Sequence, residues 1–335
     1  MITRYWKVDP VKPETDIITR AAALIRDLQL VAFPTETVYG LGALASSSEA
    51  VAKIFAAKGR PAENPLLVHV SNIEQVKQLA LEIPETASLL MDKFWPGPLS
   101  IILPSRNEVP AIIRGGKSSV GLRMPSHPVA RALIDQTGPI AAPSANLSGR
   151  PSPLTAEHVR VDLDGKIAAV LDAGRTGIGL ESTIIDLSQD KYPILRLGGL
   201  PLEELQQVLG EVQINQNKSD ELPHYQTGSR VIISQSETDF INQQEYWFMQ
   251  GKKLGIVSSK PGHLHIINKS VPVYYLELSQ DSSNLYTILR DAEQEGIHTL
   301  LFSPLPQDLT GINRALFERI KSADKFGGDN LMVED

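Results

Sequence analysis

The chain has no cysteine in its 335 residues, which removes disulfides, thiolate catalysis, zinc ribbons and iron–sulfur ligation from consideration. A reducing, cytoplasmic compartment is the expectation. No uninterrupted apolar run reaches the roughly 18 residues that a membrane-spanning helix needs. Residues 1–12 carry Arg4, Lys7, Asp9 and Lys12 but no apolar core of the kind an export signal has. The chain is therefore expected to be neither exported nor membrane-spanning. It also lacks a basic excess: the net charge is −7, which argues against a protein that coats nucleic acid by bulk electrostatics. The charge is unevenly shared. Residues 1–210 hold 21 Lys and Arg against 22 Asp and Glu, while residues 211–335 hold 11 against 17, so any anion-binding chemistry is expected in the first part.

Several chemical signatures are missing as well. Gly116-Lys117-Ser118 ends like a phosphate-binding P-loop, but the glycine needed five residues before Gly116 is Ala111; Gly40-Leu41-Gly42 lacks the third glycine of a dinucleotide fingerprint. The His residues show no H-E-x-x-H spacing, and His263-Leu264-His265 reads as loop composition rather than a metal site. There is no G-x-S-x-G elbow for serine acyl chemistry.

What is present is ordinary globular composition, 42% hydrophobic and 21% charged, enough for two cores of roughly 100 to 200 residues. Helical spacing over residues 16–28, 49–57, 85–94, 129–134 and 202–209 alternates with short apolar runs at 30–33, 66–70, 99–103, 140–142, 168–171, 183–187 and 194–197. That alternation predicts an α/β domain on a mixed sheet, spanning 1–210. Residues 211–228 are too polar and aperiodic to bury anything and read as a linker. Alternation resumes over 229–335, with strands at 231–234, 253–257, 273–278 and 299–302 and helices at 285–294 and 312–320. A smaller Rossmann-like domain is the economical reading.

The candidate chemistry lies where strands end in cations, hydroxyls, Gly and Pro. In F-P-T-E-T-V-Y-G-L-G (33–42) an apolar strand breaks at Pro34 and presents Thr35, Glu36 and Thr37; polar residues just past a buried strand are where ligands sit in α/β sheets. In K-G-R-P-A-E-N-P-L-L-V-H-V (58–70), Lys58 and Arg60 end a helix on a Gly/Pro-rich turn, Asn64 follows, and the next strand carries His69. Two cations so placed can converge on a polyphosphate, although charge compensation at a helix C-terminus also accounts for Lys58. S-V-G-L-R-M-P (119–125) puts Ser119 and Arg123 on an otherwise apolar strand. A buried cation there needs an anionic partner, and a planar guanidinium suits a carboxylate. A-P-S-A-N-L-S-G-R-P-S (142–152), with Ser144, Asn146 and Ser152, is a hydroxyl-rich turn that an ordinary loop would also explain. Glu181-Ser182-Thr183 precedes a strand and Arg196 ends one.

Taken together, K-x-R, S-x-N, F-P-T-E-T-V-Y-G-L and S-T-I-I-D resemble the YrdC-like threonylcarbamoyl-AMP synthases over residues 15–210, and the acidic second domain, with I-N-R-A-L at 312–316, resembles the longer two-domain form. The resemblance implies a twisted α/β domain with a large concave, positively lined cavity, and a reaction that joins L-threonine, bicarbonate and ATP into threonylcarbamoyl-AMP and pyrophosphate for modification of tRNA next to the anticodon. It further implies that Thr35, His69, Arg123 and Ser182 surround threonine, with Arg123 on its carboxylate. Lys58, Arg60, Asn64, Ser144, Asn146 and Arg196 would hold ATP, Lys58 and Arg60 carrying the catalysis, with Ser119 and Ser152 at the cavity wall. The family's linker closes over the site; S-D-E-L-P-H-Y-Q-T (219–227) keeps His224 and Tyr225 but is two residues shorter than the family pattern and lacks its Pro-Gly and final Pro, and Tyr225 is the residue it would bring to ATP.

Magnesium is expected to accompany ATP, bridging phosphate oxygens with few protein ligands. A downstream tRNA threonylcarbamoyl transferase complex is the expected partner, and any binding of RNA is expected to be weak. Two rival readings stand beside this one. A cationic concave surface without chemistry would hold double-stranded RNA by shape, a reading that the near-neutral first domain disfavours. A carbamoyl-transfer enzyme working from carbamoyl phosphate belongs with zinc-finger modules, which a chain without cysteine cannot carry.

Overall fold

The apolar segments of the first 210 residues pair into one sheet, seen in a computed structural model that describes residues 1–215, 225, 227–258, 266, 270–276, 284–306 and 309–324. The chain divides into two compact units, Met1–Ser148 with Ser152–Ser219, and Gly149–Pro151 with Asp220–Asp335.

In chain order the first unit contains β1 (Arg4–Lys7), α1 (Thr15–Arg26), β2 (Val31–Pro34), β3 (Tyr39–Leu44), α2 (Ser48–Lys58), β4 (Leu67–His69), α3 (Ile73–Leu79), α4 (Glu85–Phe94), β5 (Leu99–Pro104) and α5 (Ala111–Arg114). It continues through β6 (Ser119–Arg123), α6 (Pro128–Thr137), β7 (Ile140–Ala141), α7 (Ala156–Leu163), β8 (Ala169–Asp172), β9 (Thr183–Asp186), β10 (Ile194–Arg196) and α8 (Leu202–Leu209). The ten strands lie in the order β1-β8-β2-β3-β7-β4-β6-β5-β9-β10. Pairings of both senses occur: β4 runs parallel to β6, and β3 runs antiparallel to β2 and β7. The mixed α/β sheet expected from the alternation is thus what forms.

Packing explains the local choices. The apolar stripe of α1 buries Ile18, Ala21, Ala22 and Ile25, which join Val129, Ala130, Leu133 and Ile134 of α6 and Val31 and Phe33 of β2 in one core. Helix α2 starts on Ser47, whose side chain accepts the Ala50 amide, and stops at Gly59, whose φ of 62° is left-handed; this hydroxyl-start, glycine-stop arrangement fixes where Lys58 stands. The glycines of G-L-G in β3 serve packing rather than phosphate. A Cβ on Gly42 would lie 2.9 Å from both Phe33 and Ile140 side-chain atoms.

Five elements of this unit went unforeseen. β1 is a sheet-edge strand of mostly exposed residues, β3 is interrupted by glycines, and α3, α5 and α7 are short helices of seven, four and eight residues. The start of the expected linker is also not free of structure: the Ile194 amide donates to the Gln213 carbonyl at 2.8 Å and the Asn215 amide to the Ile194 carbonyl at 3.0 Å, which sets Ile214 beside β10.

The second unit holds β11 (Arg230–Ile233), α9 (Glu237–Met249), β12 (Leu254–Ser258), β13 (Val273–Tyr275), α10 (Leu285–Gln294), β14 (Thr299–Phe302) and α11 (Ile312–Ala323). Its strands pair in parallel in the order β11-β14-β12-β13, the arrangement of an open α/β sheet. Helix α9, whose apolar residues are too sparse to announce it, packs Phe240 and Trp247 on Leu254, Ile256 and Leu301. His263 to His265 and His224 lie outside the described residues. Among the described residues no helix is long and apolar enough to cross a membrane.

Candidate active site

Strand pairing brings the predicted cation and imidazole together. His69 and Arg123 are register partners on the parallel strands β4 and β6, so both leave the sheet at the same level. Arg123 is buried, and its charge is met from a distant part of the chain: Nη2 donates to Glu36 Oε1 at 2.6 Å, and Nε donates to the Gly97 carbonyl at 3.2 Å. The Ser126 amide donates to the other Glu36 oxygen at 3.1 Å. Among the described residues Arg123 Nη1 makes no hydrogen bond, so one edge of the guanidinium remains for a ligand. His69 is buried with Nδ1 unpartnered. Burial, and Arg123 beside it, push the imidazole down to about 3, so the ring is neutral near pH 7 and offers one donor and one acceptor nitrogen.

Glu36 sits in the turn between β2 and β3, and this turn is braced from several sides. Thr35 Oγ1 lies 2.8 Å from Thr37 Oγ1 and donates to the Val38 carbonyl at 2.7 Å. From the loop after β8, the Ile178 amide donates to the Glu36 carbonyl at 2.8 Å and the Gly179 amide to that of Thr37 at 3.0 Å. In the same loop Thr176 Oγ1 is buried without a hydrogen-bond partner, a polar atom that no sequence motif had marked.

A second group forms at the start of β9. Ser182 Oγ lies 2.7 Å from Ser100 Oγ, and Arg196 reaches the Ser182 carbonyl through Nε at 3.1 Å and Nη2 at 2.9 Å, with Nη2 also 3.2 Å from Ser182 Oγ. Next to it, Ser152 Oγ donates to Glu181 Oε1 at 2.6 Å. A third group gathers at the end of α2. Lys58 is buried, and its Nζ donates to the carbonyls of Ser144, at 2.6 Å, and Asn146. The Ser148 amide returns a bond to the Lys58 carbonyl at 2.8 Å, and Ser144 bridges Gly40 of β3. Lys58 is thus the tie that shapes the S-x-N loop, more than a terminal charge on a helix.

The other predicted residues stand apart from these groups. Arg60 is half-buried and donates from Nη2 to the Pro65 carbonyl at 3.2 Å, across the turn that contains Asn64. Ser119 opens β6, four residues and roughly 13 Å of extended strand from Arg123. Tyr225 belongs to the second unit, where its ring stacks on Tyr286 at 5.3 Å and Arg319 lies 5.8 Å from its centroid. Reasoning from the sequence missed the partners: Glu36 for Arg123, Ser100 for Ser182, Glu181 for Ser152. The demand of a buried cation for an anion was the one available signal, and it pointed to no particular carboxylate.

Residues 23–198 match the Sua5/YciO/YrdC family, described as Telomere recombination. Over 325 residues the chain is 41% identical to the threonylcarbamoyl-AMP synthase of Pyrococcus abyssi, covering 91% of this chain and 93% of that protein. The chain belongs to the Sua5/YciO/YrdC family. Another member, the threonylcarbamoyl-AMP synthase of Bacillus subtilis, is 39% identical and is covered over 98% of its length by 96% of this chain. The crystal structure of P. abyssi Sua5 complexed with L-threonine superposes with a TM-score of 0.89 at 40% identity, over 96% of this chain and 98% of that one. The Escherichia coli family member YciO, at 24% identity and a TM-score of 0.55 over 59% of this chain, shares the fold.

Proposed function

We propose that this family member is a threonylcarbamoyl-AMP synthase that joins L-threonine, bicarbonate and ATP, with release of pyrophosphate. The observation that carries the reading is the pair His69–Arg123: a guanidinium with one edge uncommitted beside a neutral imidazole with an unpartnered nitrogen, both buried at strand ends. A carboxylate on Arg123 Nη1 and a hydrogen-bonding donor on the imidazole describe the two ends of a small hydroxy amino acid. Thr35 and Ser182 would supply hydroxyls to the same substrate.

The amine of threonine and bicarbonate form an N-carboxylate, a weak nucleophile that must be held against the α-phosphorus of ATP as pyrophosphate leaves. No enzyme nucleophile is required. Catalysis rests on position and on charges fixed in advance. Lys58, clamped by the carbonyls of Ser144 and Asn146, sets its ammonium and the S-x-N loop as one rigid piece for the nucleotide, with Arg60 and Arg196 completing the cationic side, Asn64 adding a neutral amide, and Ser119 and Ser152 at the wall. The Arg196 fork holds Ser182 in place, which couples the nucleotide side to the amino-acid side. Tyr225 would serve as the lid residue over ATP. A magnesium ion bound with the nucleotide would offset the charge of its phosphate oxygens.

The product is a mixed anhydride that hydrolyses unless consumed, so the reading includes a cytoplasmic transferase that places the threonylcarbamoyl group on tRNA. The test is product identification. Incubating the purified chain with ATP, magnesium, threonine and isotopically labelled bicarbonate should yield a labelled adenylate carrying one threonine and one added carbon by mass spectrometry; AMP without that adduct, or no turnover, would refute the reading.

A further inference from the structure

An α-amino acid reaches such a site as a zwitterion, and its ammonium has no lone pair until a proton leaves. With the carboxylate held on Arg123, the acceptor must stand within a hydrogen bond of the nitrogen two bonds from that carboxylate carbon. Four ionisable side chains neighbour one another here: Arg123 on β6, His69 beside it on β4, Glu36 in the turn after β2 and paired with Arg123, and His127 at the N-cap of α6 near Glu36. The guanidinium of Arg123 is a donor only and has no lone pair to give. His127 Nδ1 already accepts the Val129 amide at 3.2 Å, and burial keeps the His69 imidazole neutral, so neither brings a negative charge to meet an ammonium. Glu36 remains. Its side chain is 14% exposed, it lies 2.6 Å from the guanidinium, and its turn is anchored by Ile178, Gly179 and Thr35.

We propose that Glu36 accepts the proton of the α-ammonium held beside Arg123, a role that rests on the synthase reading above. The step balances. The carboxylate of Glu36 takes one proton from R–NH3⁺, leaving R–NH2 and a neutral carboxyl. The amine's lone pair forms the N–C bond to bicarbonate, the C–OH bond breaks, and the departing hydroxide leaves as water with a second proton from nitrogen, giving R–NH–COO⁻. Glu36 then returns its proton to solvent.

The experiment follows threonine-dependent pyrophosphate release by the full chain from about pH 6.5 to about pH 9.5, with kcat and the threonine KM separated and each variant expressed as a ratio to wild type at the same pH. Glu36→Gln is expected to lower kcat about 100-fold or more near pH 7, and the deficit is expected to shrink as pH rises and more threonine arrives with its amine already free. Glu36→Asp, which keeps a carboxylate at shorter reach, is expected to lose less and to recover in the same direction. A loss of equal size at every pH, a change in threonine KM with kcat intact, or no change overturns the proposal and leaves Glu36 as an orienting partner of Arg123. Should Glu36→Gln fail to fold, the pH trend of Glu36→Asp decides. A wild-type chain that releases no pyrophosphate with threonine refutes the synthase reading, and the role of Glu36 with it, before any variant is compared.

Discussion

Arg123 and Glu36, 87 residues apart in the chain, form a buried ion pair at 2.6 Å in which the guanidinium keeps one nitrogen uncommitted. The pair is therefore both a structural tie and a half-open receptor for a carboxylate. Removing Arg123 acts on both. Arg123→Ala is expected to raise the threonine KM about 10- to 100-fold, the worth of a charge-assisted hydrogen bond, with a much smaller change for ATP. Leaving Glu36 buried without its partner is also expected to cost about 3–5 kcal/mol of stability. Steady-state kinetics varying each substrate in turn separates the effects; equal losses for both substrates would contradict the carboxylate assignment.

His69 gives the fold a signature in acid. Its imidazole titrates at about 3 in the folded chain, against an ordinary value of 6.5. The unfolded chain therefore binds the proton first as pH falls. The contribution of a buried neutral His69 is complete above pH 6.5 and is lost as pH drops toward 3, at up to about 1.4 kcal/mol per pH unit. Urea unfolding of wild type and His69→Gln between those limits is expected to show the steeper decline in wild type. Parallel slopes would mean that the ring is not held neutral.

The glycine at position 42 is predicted to be a packing requirement. Gly42→Ala would bring a methyl group 2.9 Å from Phe33 and Ile140 atoms, and overpacking of this kind costs about 1–3 kcal/mol. A thermal melt lowered by several degrees is the expected result; an unchanged melt would show that the core yields freely there.

A fragment of residues 1–219 is expected to fold by itself. Ending the chain at Gly210 instead removes the two backbone hydrogen bonds that residues 213–215 exchange with Ile194, each worth about 0.5–1.5 kcal/mol. The shorter fragment should melt at lower temperature by circular dichroism. If 1–219 aggregates, the first unit depends on residues beyond it.

Where the side-chain period is strong, the sequence alone is a good guide. Helices α8 and α10 span the residues that their apolar spacing marks, and α1 differs by a residue or two at its ends. β3 was illegible because its glycines are required by Phe33 and Ile140, neighbours supplied by other strands. β1 was illegible because an edge strand of exposed side chains carries no alternation of burial. At the site, cations at strand ends stood out because a charge in an apolar run has a physical cost. Their partners did not, since Glu36, Ser100 and the carbonyls that hold Lys58 meet their counterparts only through sheet topology. Tyr225 aside, the described residues of the second unit form strands and helices that account for a core.

The most direct test of the central claim is pyrophosphate release from ATP by the purified full-length chain with magnesium and bicarbonate, comparing L-threonine, L-serine and no amino acid. The account predicts release that depends on both bicarbonate and threonine and is weaker with serine. Release that is indifferent to threonine, or none with any amino acid, would contradict it.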